Sequence, residues 1–272
     1  MKKSHIIGLI FIAGLLGAIF LMNAGKEPPP VGAGPGRGDE EGRVLYEGAK
    51  RLAEEGRLLE ARGLYKKLLA EYTRSPLVKD ATEELGGLNI RILFSPVETP
   101  DCVFYPVRPG DTLYDIAREF RTTVGLIMKS NNLENTVIRP GMKLKISMAK
   151  YSILVDKSQN ILMLKSNDEV LKTYTVSTGA DNSTPSGAHR ITDKLIDPTW
   201  FKAGAVVPPE SPENILGSRW MGLTAAGYGI HGTTDESTIG TQITAGCVRM
   251  RNKDVEELYS IVPSGTEVVI ID

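Results

Sequence analysis

The sequence has few of the residues that build disulfide frameworks and metal sites. It contains 2 cysteines, Cys102 and Cys247, and 3 histidines, and two cysteines are too few for a disulfide-stabilised fold. There is no H-E-x-x-H motif and no cysteine pair at zinc-binding spacing, so we predict no metal and no cofactor. Cys102 lies between two predicted domains and is interpreted as a buried thiol or as one half of a bridge. A bridge to Cys247 would leave the chain without a free thiol.

The sequence also lacks an excess of charge of either sign. Lysine and arginine number 32 and aspartate and glutamate 33, which gives a formal net charge of -1. Proteins that bind the phosphate backbone of nucleic acids usually carry a surplus of positive charge. We therefore predict no nucleic-acid partner.

The N-terminus has the pattern of an export signal. Lys2 and Lys3 precede an apolar run from Ile6 to Met22, which is near the shortest length that spans a bilayer as a helix. The residues after this run form a poor cleavage site, so residues 1–25 are predicted to be a signal anchor that binds the membrane, with a cleaved signal peptide as the alternative. Residues 26–42 are rich in proline and glycine and are predicted to be a flexible linker. The rest of the chain is expected outside the cytoplasm.

Residues 43–95 are predicted to form a small α-helical module. Apolar residues recur at helical spacing, and Gly56 and Pro76 divide the segment into three short helices. The run LLEARGLYKKLLAEY resembles one unit of a tetratricopeptide (TPR) hairpin, although a single unit cannot build a solenoid. We expect this TPR-like module to be a spacer or a docking site for a protein partner.

Residues 102–148 predict the order strand, helix, helix, strand. The turn motifs PGDTLYDIA and RPGMKLKI, with the apolar residues between them, resemble those of a LysM domain. This resemblance implies a βααβ fold that binds glycans containing N-acetylglucosamine through the loops after the first strand and the second helix. The same residue types also form turns and helix caps in any fold. The glycan-binding candidates are Gly110, Asp111, Thr112, Asn131, Asn132 and Leu133.

Residues 150–272 have the two-residue periodicity of strands. Successive apolar runs beginning at Tyr151, Ile161 and Val170 are separated by turn residues, which predicts a mainly-β domain, either a sandwich or a barrel-like sheet. One helix is expected from Asn252 to Tyr259, with Asn252 as its N-cap. The last strand is predicted from Glu267 to Ile271.

The candidate catalytic residues lie close together in the last third of the chain. His231 stands between a strand end and a polar loop, and Cys247 follows Gly246 sixteen positions later. A strand after Cys247 would place Arg249 on the same face as the thiol. A nucleophilic thiol requires a base and benefits from a neighbouring cation. Without further pattern, however, a buried structural thiol is the better interpretation of one cysteine near one histidine.

The run IHGTTDESTIGTQITAGCVRM, with the upstream segments STG, TPSG and LGSRWMGL, resembles the YkuD family of L,D-transpeptidases. The resemblance implies that Cys247 is the nucleophile and that His231 is the proton acceptor and donor. It further implies that the Gly232 carbonyl orients His231, although Asp235 or Glu236 could do so instead. Many members have a Ser-His-Gly-Cys motif, whereas this chain has Thr-Ala-Gly-Cys. The residues implied to form the oxyanion site and to position the substrate are Gly232, Thr244, Gly246, Arg249 and Trp220, with backbone N–H groups around Gly246 and Cys247 facing the oxyanion.

The family implies a peptidoglycan enzyme that joins stem peptides at their third residues through a thioester and releases D-alanine. An L,D-carboxypeptidase that uses the same site is one alternative, and a non-catalytic wall-binding LysM protein is another. A serine enzyme of the penicillin-binding type is rejected because Ser147 and Lys150 match its S-x-x-K spacing but no SDN or KTG motif follows.

Overall fold

The computed structural model describes residues 37–202 and 204–272. The predicted anchor or signal peptide at 1–25 lies outside these residues, as does the first part of the predicted linker. Among the helices that are described, none has both the length and the apolar character needed to cross a bilayer.

The N-terminal module consists of three helices, α1 (Arg37–Glu54), α2 (Leu58–Glu71) and α3 (Val78–Leu93). The linker boundary predicted at residue 42 is wrong, because α1 already begins at Arg37 and has acidic side chains in its first turn, where they stabilise a helix N-terminus. Gly56 adopts a φ of 79° between α1 and α2, a conformation that glycine accepts without strain. The three helices enclose a core of small and apolar side chains: Ala49, Ala61, Tyr65, Leu68, Ala81 and Leu88.

The second unit has the βααβ order predicted for a LysM domain. Its elements are β1 (Cys102–Pro106), α4 (Leu113–Glu119), α5 (Val124–Ser130) and β2 (Lys143–Ser147), and β1 and β2 pair antiparallel. Thr112 is the N-cap of α4 and accepts a hydrogen bond from the Asp115 amide at 3.1 Å. Thr123 caps α5 in the same way.

The third unit is built on one eight-stranded sheet with the order β13-β11-β10-β7-β14-β3-β4-β5. Two short pairs, β6 with β12 and β8 with β9, lie outside it. The single long helix, α6, packs its apolar side chains on the sheet. The elements are β3 (Tyr151–Asp156), β4 (Ile161–Ser166), β5 (Glu169–Thr175), β6 (Thr178–Gly179), β7 (Gly187–Ile196), β8 (Trp200–Lys202), β9 (Ala205–Val207), β10 (Arg219–Leu223), β11 (Gly229–His231), β12 (Gln242–Thr244), β13 (Val248–Arg249), α6 (Asn252–Ile261) and β14 (Glu267–Ile271).

Helix α3 contacts both other units, so the helical module, which we expected to be a spacer or a docking site, packs on the rest of the described chain. It lies against β5, an edge strand of the sheet, and the Asn89 amide donates to the Leu171 carbonyl at 2.9 Å. An edge carbonyl is thereby covered, which reduces the risk of edge-to-edge pairing. At the end of α3, the buried Lys145 ammonium of β2 donates to the carbonyls of Ile92 and Ser95 at 3.1 and 2.8 Å.

Replacing Lys145 with methionine is expected to lower the apparent free energy of unfolding by about 2 kcal/mol, because the carbonyls at the end of α3 would lose their donor in a buried site. The measurement is urea denaturation of the variant and the parent chain. Lys143→Met is the matched control, since Lys143 lies exposed on the same strand. Equal stability of both variants would contradict this role for Lys145.

Candidate active site

Four neighbouring strands bring one row of side chains to the same face of the sheet. Strand pairing places Trp220 opposite Leu195 on one side and opposite His231 on the other, and His231 opposite Arg249. Residues that pair across strands point to the same face. The row therefore runs Leu195, Trp220, His231, Arg249 across β7, β10, β11 and β13, and all four line one cleft together with Cys247.

His231 is buried, with 2% of its surface exposed. Its Nδ1 atom lies 2.7 Å from the Gly232 carbonyl oxygen, which can only accept a hydrogen bond, so the proton of the neutral ring is on Nδ1. The other nitrogen, Nε2, is then unprotonated and can act as a base. The Trp220 ring stacks on the imidazole with centroids 5.8 Å apart and planes inclined by 21°.

Burial determines the charge of His231. Desolvation lowers the pKa of its imidazole to about 4, and the nearby Arg249 charge acts in the same direction, whereas the carbonyls of Gly232 and Leu216 oppose both. Low polarity around an ionisable base disfavours its protonated form. His231 is therefore neutral at physiological pH.

Asn252 determines the path of the two loops beside His231. Its Oδ1 atom accepts from the amides of Ser218 and Thr233, both at 3.1 Å, and its Nδ2 atom donates to the Thr233 carbonyl at 2.8 Å. Asn252 was predicted as the N-cap of α6, and that is wrong, because the cap is Arg251 and Asn252 lies in the first turn. A side chain on Gly232 would come within 2.2 Å of the Asn252 oxygen, so Gly232 has to remain a glycine.

Cys247 lies half-buried in the loop before β13, with its Sγ atom 3.9 Å from the Gly227 carbonyl oxygen. Burial raises the pKa of the thiol, while the Gly229 backbone and the Arg249 charge oppose the shift. The resting pair is thus a neutral thiol and a neutral imidazole. Activation of the thiol requires transfer of its proton to a base.

Gly246 and Thr244, which precede Cys247, determine the path of its backbone. Gly246 has a φ of 123°, and a Cβ atom there would lie 2.4 Å from Cε1 of Tyr228. The Gly246 amide donates to Thr244 Oγ1 at 3.1 Å, and that hydroxyl donates to the Cys247 carbonyl at 2.7 Å. The Gly246 N–H, which we expected to face the oxyanion, is therefore already engaged. Within the described residues, the Cys247 N–H has no hydrogen-bond acceptor.

Arg249 has groups that stabilise the local structure and one nitrogen that has no hydrogen-bond partner in the described part of the chain. Its backbone forms a bridge with Ser177, and its Nη1 atom donates to Thr238 Oγ1 at 3.0 Å. Its Nε atom is buried without a hydrogen-bond partner in the described part of the chain. A buried donor without an acceptor costs free energy, so this nitrogen is suited to an acceptor that arrives with a ligand.

The cleft has a volume of about 460 Å³ and is covered on one side by the segment that contains β8 and β9. Trp200 and Phe201 of β8 line the cleft, and Phe201 is 76% exposed, which gives the cleft an apolar rim. In residues 37–202 and 204–272, no group of three or more His, Cys, Asp or Glu side chains is arranged to hold a metal.

Asp235 bonds to Ser237 and not to His231, so the Gly232 carbonyl is the group that orients His231.

Most of the glycan-binding candidates in the LysM unit have internal partners. Asp111 accepts from the Arg108 amide and the Tyr105 hydroxyl, and Asn131 bonds to the backbone of Ile127 and Lys145. Gly110 forms a turn with a φ of 90° and Thr112 caps α4, whereas Asn132 is exposed and Leu133 packs on the LysM core. Their side chains serve the fold, so sugar contacts in these loops would be made chiefly through the backbone and Asn132.

Several residues of the cleft were not found from the sequence. Leu195 lies in the cleft because of the register between β7 and β10, which a single sequence does not reveal. Phe201 lies there because it belongs to the β8–β9 segment. For Asn252 the sequence does give an indication, because asparagine is common at the start of a helix. That indication, however, favours a helix cap over hydrogen bonds to the loops.

Comparisons with known proteins agree with the predicted LysM domain and the predicted L,D-transpeptidase domain. A model of the LysM domain matches residues 105–147, and a model of the YkuD L,D-transpeptidase catalytic domain matches residues 150–270. YkuD of Bacillus licheniformis, which is named as an L,D-transpeptidase, is 34% identical over 177 residues, 62% of this chain and 98% of the relative. YkuD of Bacillus subtilis is 33% identical over 174 residues, which cover 61% and 97% of the two chains.

A further relative, YqjB of Bacillus subtilis, is 38% identical over 126 residues, 44% of this chain and 70% of the relative. The chain therefore belongs to the YkuD family of L,D-transpeptidases. It carries a LysM domain in addition to the catalytic domain.

Replacing Asn252 with aspartate is expected to lower the apparent free energy of unfolding by about 2 kcal/mol, because the buried Thr233 carbonyl would lose its donor and face a carboxylate. The alkylation rate of Cys247 should also change, since the Gly232 carbonyl that orients His231 would move. Urea denaturation and thiol labelling measure the two effects. Lys253→Met, at the exposed neighbouring position, is the control and should change neither.

The pKa of His231 predicts a pH dependence of stability. The pKa of the imidazole is near its ordinary value of 6.5 in the unfolded chain and about 4 in the folded one, so the unfolded state binds more protons between these values. Stability therefore falls as the pH drops through this window, by about 2 kcal/mol between pH 7 and pH 5.

The measurement is urea denaturation at both pH values for the parent chain and for His231→Gln. The loss between pH 7 and pH 5 should be smaller in the variant by that amount. An equal loss in both proteins would show that His231 is not held neutral in the folded state.

Proposed function

We propose that this protein is a peptidoglycan L,D-transpeptidase that acts through a thioester on Cys247. The observation that supports this most strongly is the cleft in which a buried neutral His231, a half-buried thiol and the partly open guanidinium of Arg249 converge. A base, a nucleophile and a group for anionic parts of the substrate are the components that acyl transfer requires.

In the first half of the reaction, Sγ of Cys247 attacks the carbonyl carbon of the third stem residue. The thiol turns from the Gly227 carbonyl toward His231, whose Nε2 atom takes the proton as the S–C bond forms. The free N–H of Cys247 donates to the oxyanion, a contribution for which removal of one donor typically costs about 3 kcal/mol. The amide C–N bond then breaks, and His231 returns the proton to the leaving D-alanine amine.

In the second half, the side-chain amine of a neighbouring stem attacks the thioester. His231 accepts a proton from this amine, a new amide bond forms, the C–S bond breaks, and the thiol is restored. The product joins two third residues. When water attacks in place of the amine, the same site acts as an L,D-carboxypeptidase.

We further propose that the LysM unit binds glycan strands containing N-acetylglucosamine, which would hold the cleft near its stem peptides. Such substrates lie in the cell envelope, and an N-terminal anchor would retain the enzyme there. The anchor rests on the sequence pattern of residues 1–25, and a protein partner at the helical module remains a prediction from its TPR-like run.

Incubation of the protein with purified tetrapeptide muropeptides is expected to give a thioester adduct on Cys247, visible by mass spectrometry, and cross-linked dimers. Cys247→Ser should lower product formation by about 10³-fold or more, because a hydroxyl is a far poorer nucleophile beside a neutral base. Cys102→Ser, which changes the other cysteine, is the matched control and should retain activity.

Cross-linking by Cys247→Ser would contradict the mechanism. A parent chain that forms neither products nor a covalent adduct with a carbapenem would instead support the non-catalytic wall-binding alternative.

A further inference from the structure

Of the described residues that line the cleft, Asp193 is the only acidic one. It lies on β7 two positions before Leu195, and alternate residues of a strand share a face. The Cα atom of Asp193 is therefore about 7 Å along the strand from that of Leu195. Among the described residues of the lining, Arg249 is the only lysine or arginine, and it stands at the far end of the row that contains His231.

The carboxylate of Asp193 is held in place by its neighbours. Its Oδ2 atom accepts from Nε1 of Trp220 at 3.1 Å, and its Oδ1 atom accepts from the Thr192 hydroxyl at 2.7 Å. A Cβ atom on Gly222 would lie 2.1 Å from Oδ1, so the carboxylate occupies space that only glycine leaves open. These contacts fix its orientation and leave acceptor capacity, because an ionised carboxylate has about four lone-pair sites.

No basic residue of the described chain forms an ion pair with Asp193. The adjacent Lys194 points to the opposite face, where its ammonium donates to the carbonyls of Tyr259 and Val262, both at 2.6 Å. The negative charge of Asp193 is therefore available to a cation in the cleft. The Trp220 ring beside it offers an apolar surface that also attracts cations.

We propose that Asp193 binds the free ammonium group on the side chain of the donor's third residue. This assignment rests on the proposed function and specifies its substrate. With the third-residue carbonyl at Cys247, an aliphatic side chain of three or four methylenes can lie along Trp220 and end at Asp193. The acidic and basic ends of the cleft then select a donor that is cationic on the side chain and anionic at the terminal carboxylate.

The test uses the full-length chain and two donor peptides. Both have L-lysine at the third position and D-alanine at the fourth, and in one of them the lysine side-chain amine is acetylated. The readouts are thioester formation on Cys247 and the rate of D-alanine release. We expect kcat/KM of the parent chain to be about tenfold higher for the free amine, as for one charged hydrogen bond.

Asp193→Asn keeps the shape and an acceptor for Trp220 but removes the charge. It should lose the preference for the free amine, mainly through a higher KM for that donor, so that the two donors react with similar kcat/KM. Asp197→Asn is the matched control, because Asp197 is an exposed carboxylate near the end of β7 that does not line the cleft.

Equal losses of Asp193→Asn on both donors would overturn the assignment, since Asp193 would then act only by holding Trp220. A parent chain that does not distinguish the donors would overturn it as well. Absence of a thioester with either donor in the parent chain would instead overturn the proposed function.

Discussion

The geometry of the candidate active site depends on the hydrogen bonds of Asn252 to the backbone of two loops. This one side chain binds the amides of Ser218 and Thr233 and the carbonyl of Thr233. The Gly232 carbonyl, which fixes the proton of His231 on Nδ1, belongs to the second of these loops. The tautomer of His231 is therefore set by a residue that is not itself part of the cleft lining.

Burial affects the ionisation of His231 and Cys247, the pair that we propose to be catalytic. Both the imidazole and the thiol are held neutral, because a charge on either is poorly solvated. Arg249 acts differently on the two groups, since its positive charge disfavours the imidazolium and favours the thiolate. A neutral pair needs proton transfer during attack, and it protects the thiol from reacting with every electrophile that enters the open cleft.

The sequence alone predicted the unit order and the βααβ fold, and it pointed to His231, Cys247 and Arg249 as one candidate site, because each has a local pattern. The turn glycines, the cap at Thr112 and the alternation in β3 to β5 are properties of neighbouring residues. The row of Leu195, Trp220, His231 and Arg249 is not local, because it depends on the register of four strands. The start of α1 at Arg37 was missed for another reason: glycine and proline before residue 42 indicate a linker, whereas acidic residues and packing on α2 favour a helix.

Helix α6 connects the LysM unit to the catalytic loops. Near its C-terminal end, the Thr123 hydroxyl donates to the Ser260 carbonyl, and a Cβ atom on Gly125 of α5 would lie 3.4 Å from the Ser260 Cα atom. Lys194 holds the last carbonyls of the same helix. Asn252 stands in the first turn, so about 12 Å of helix separates the LysM contact at Ser260 from the loops around His231. Because α3 also joins the LysM unit to the opposite edge of the sheet through Lys145 and Asn89, the LysM unit is held from two sides. A glycan strand bound there would therefore have a fixed direction relative to the cleft.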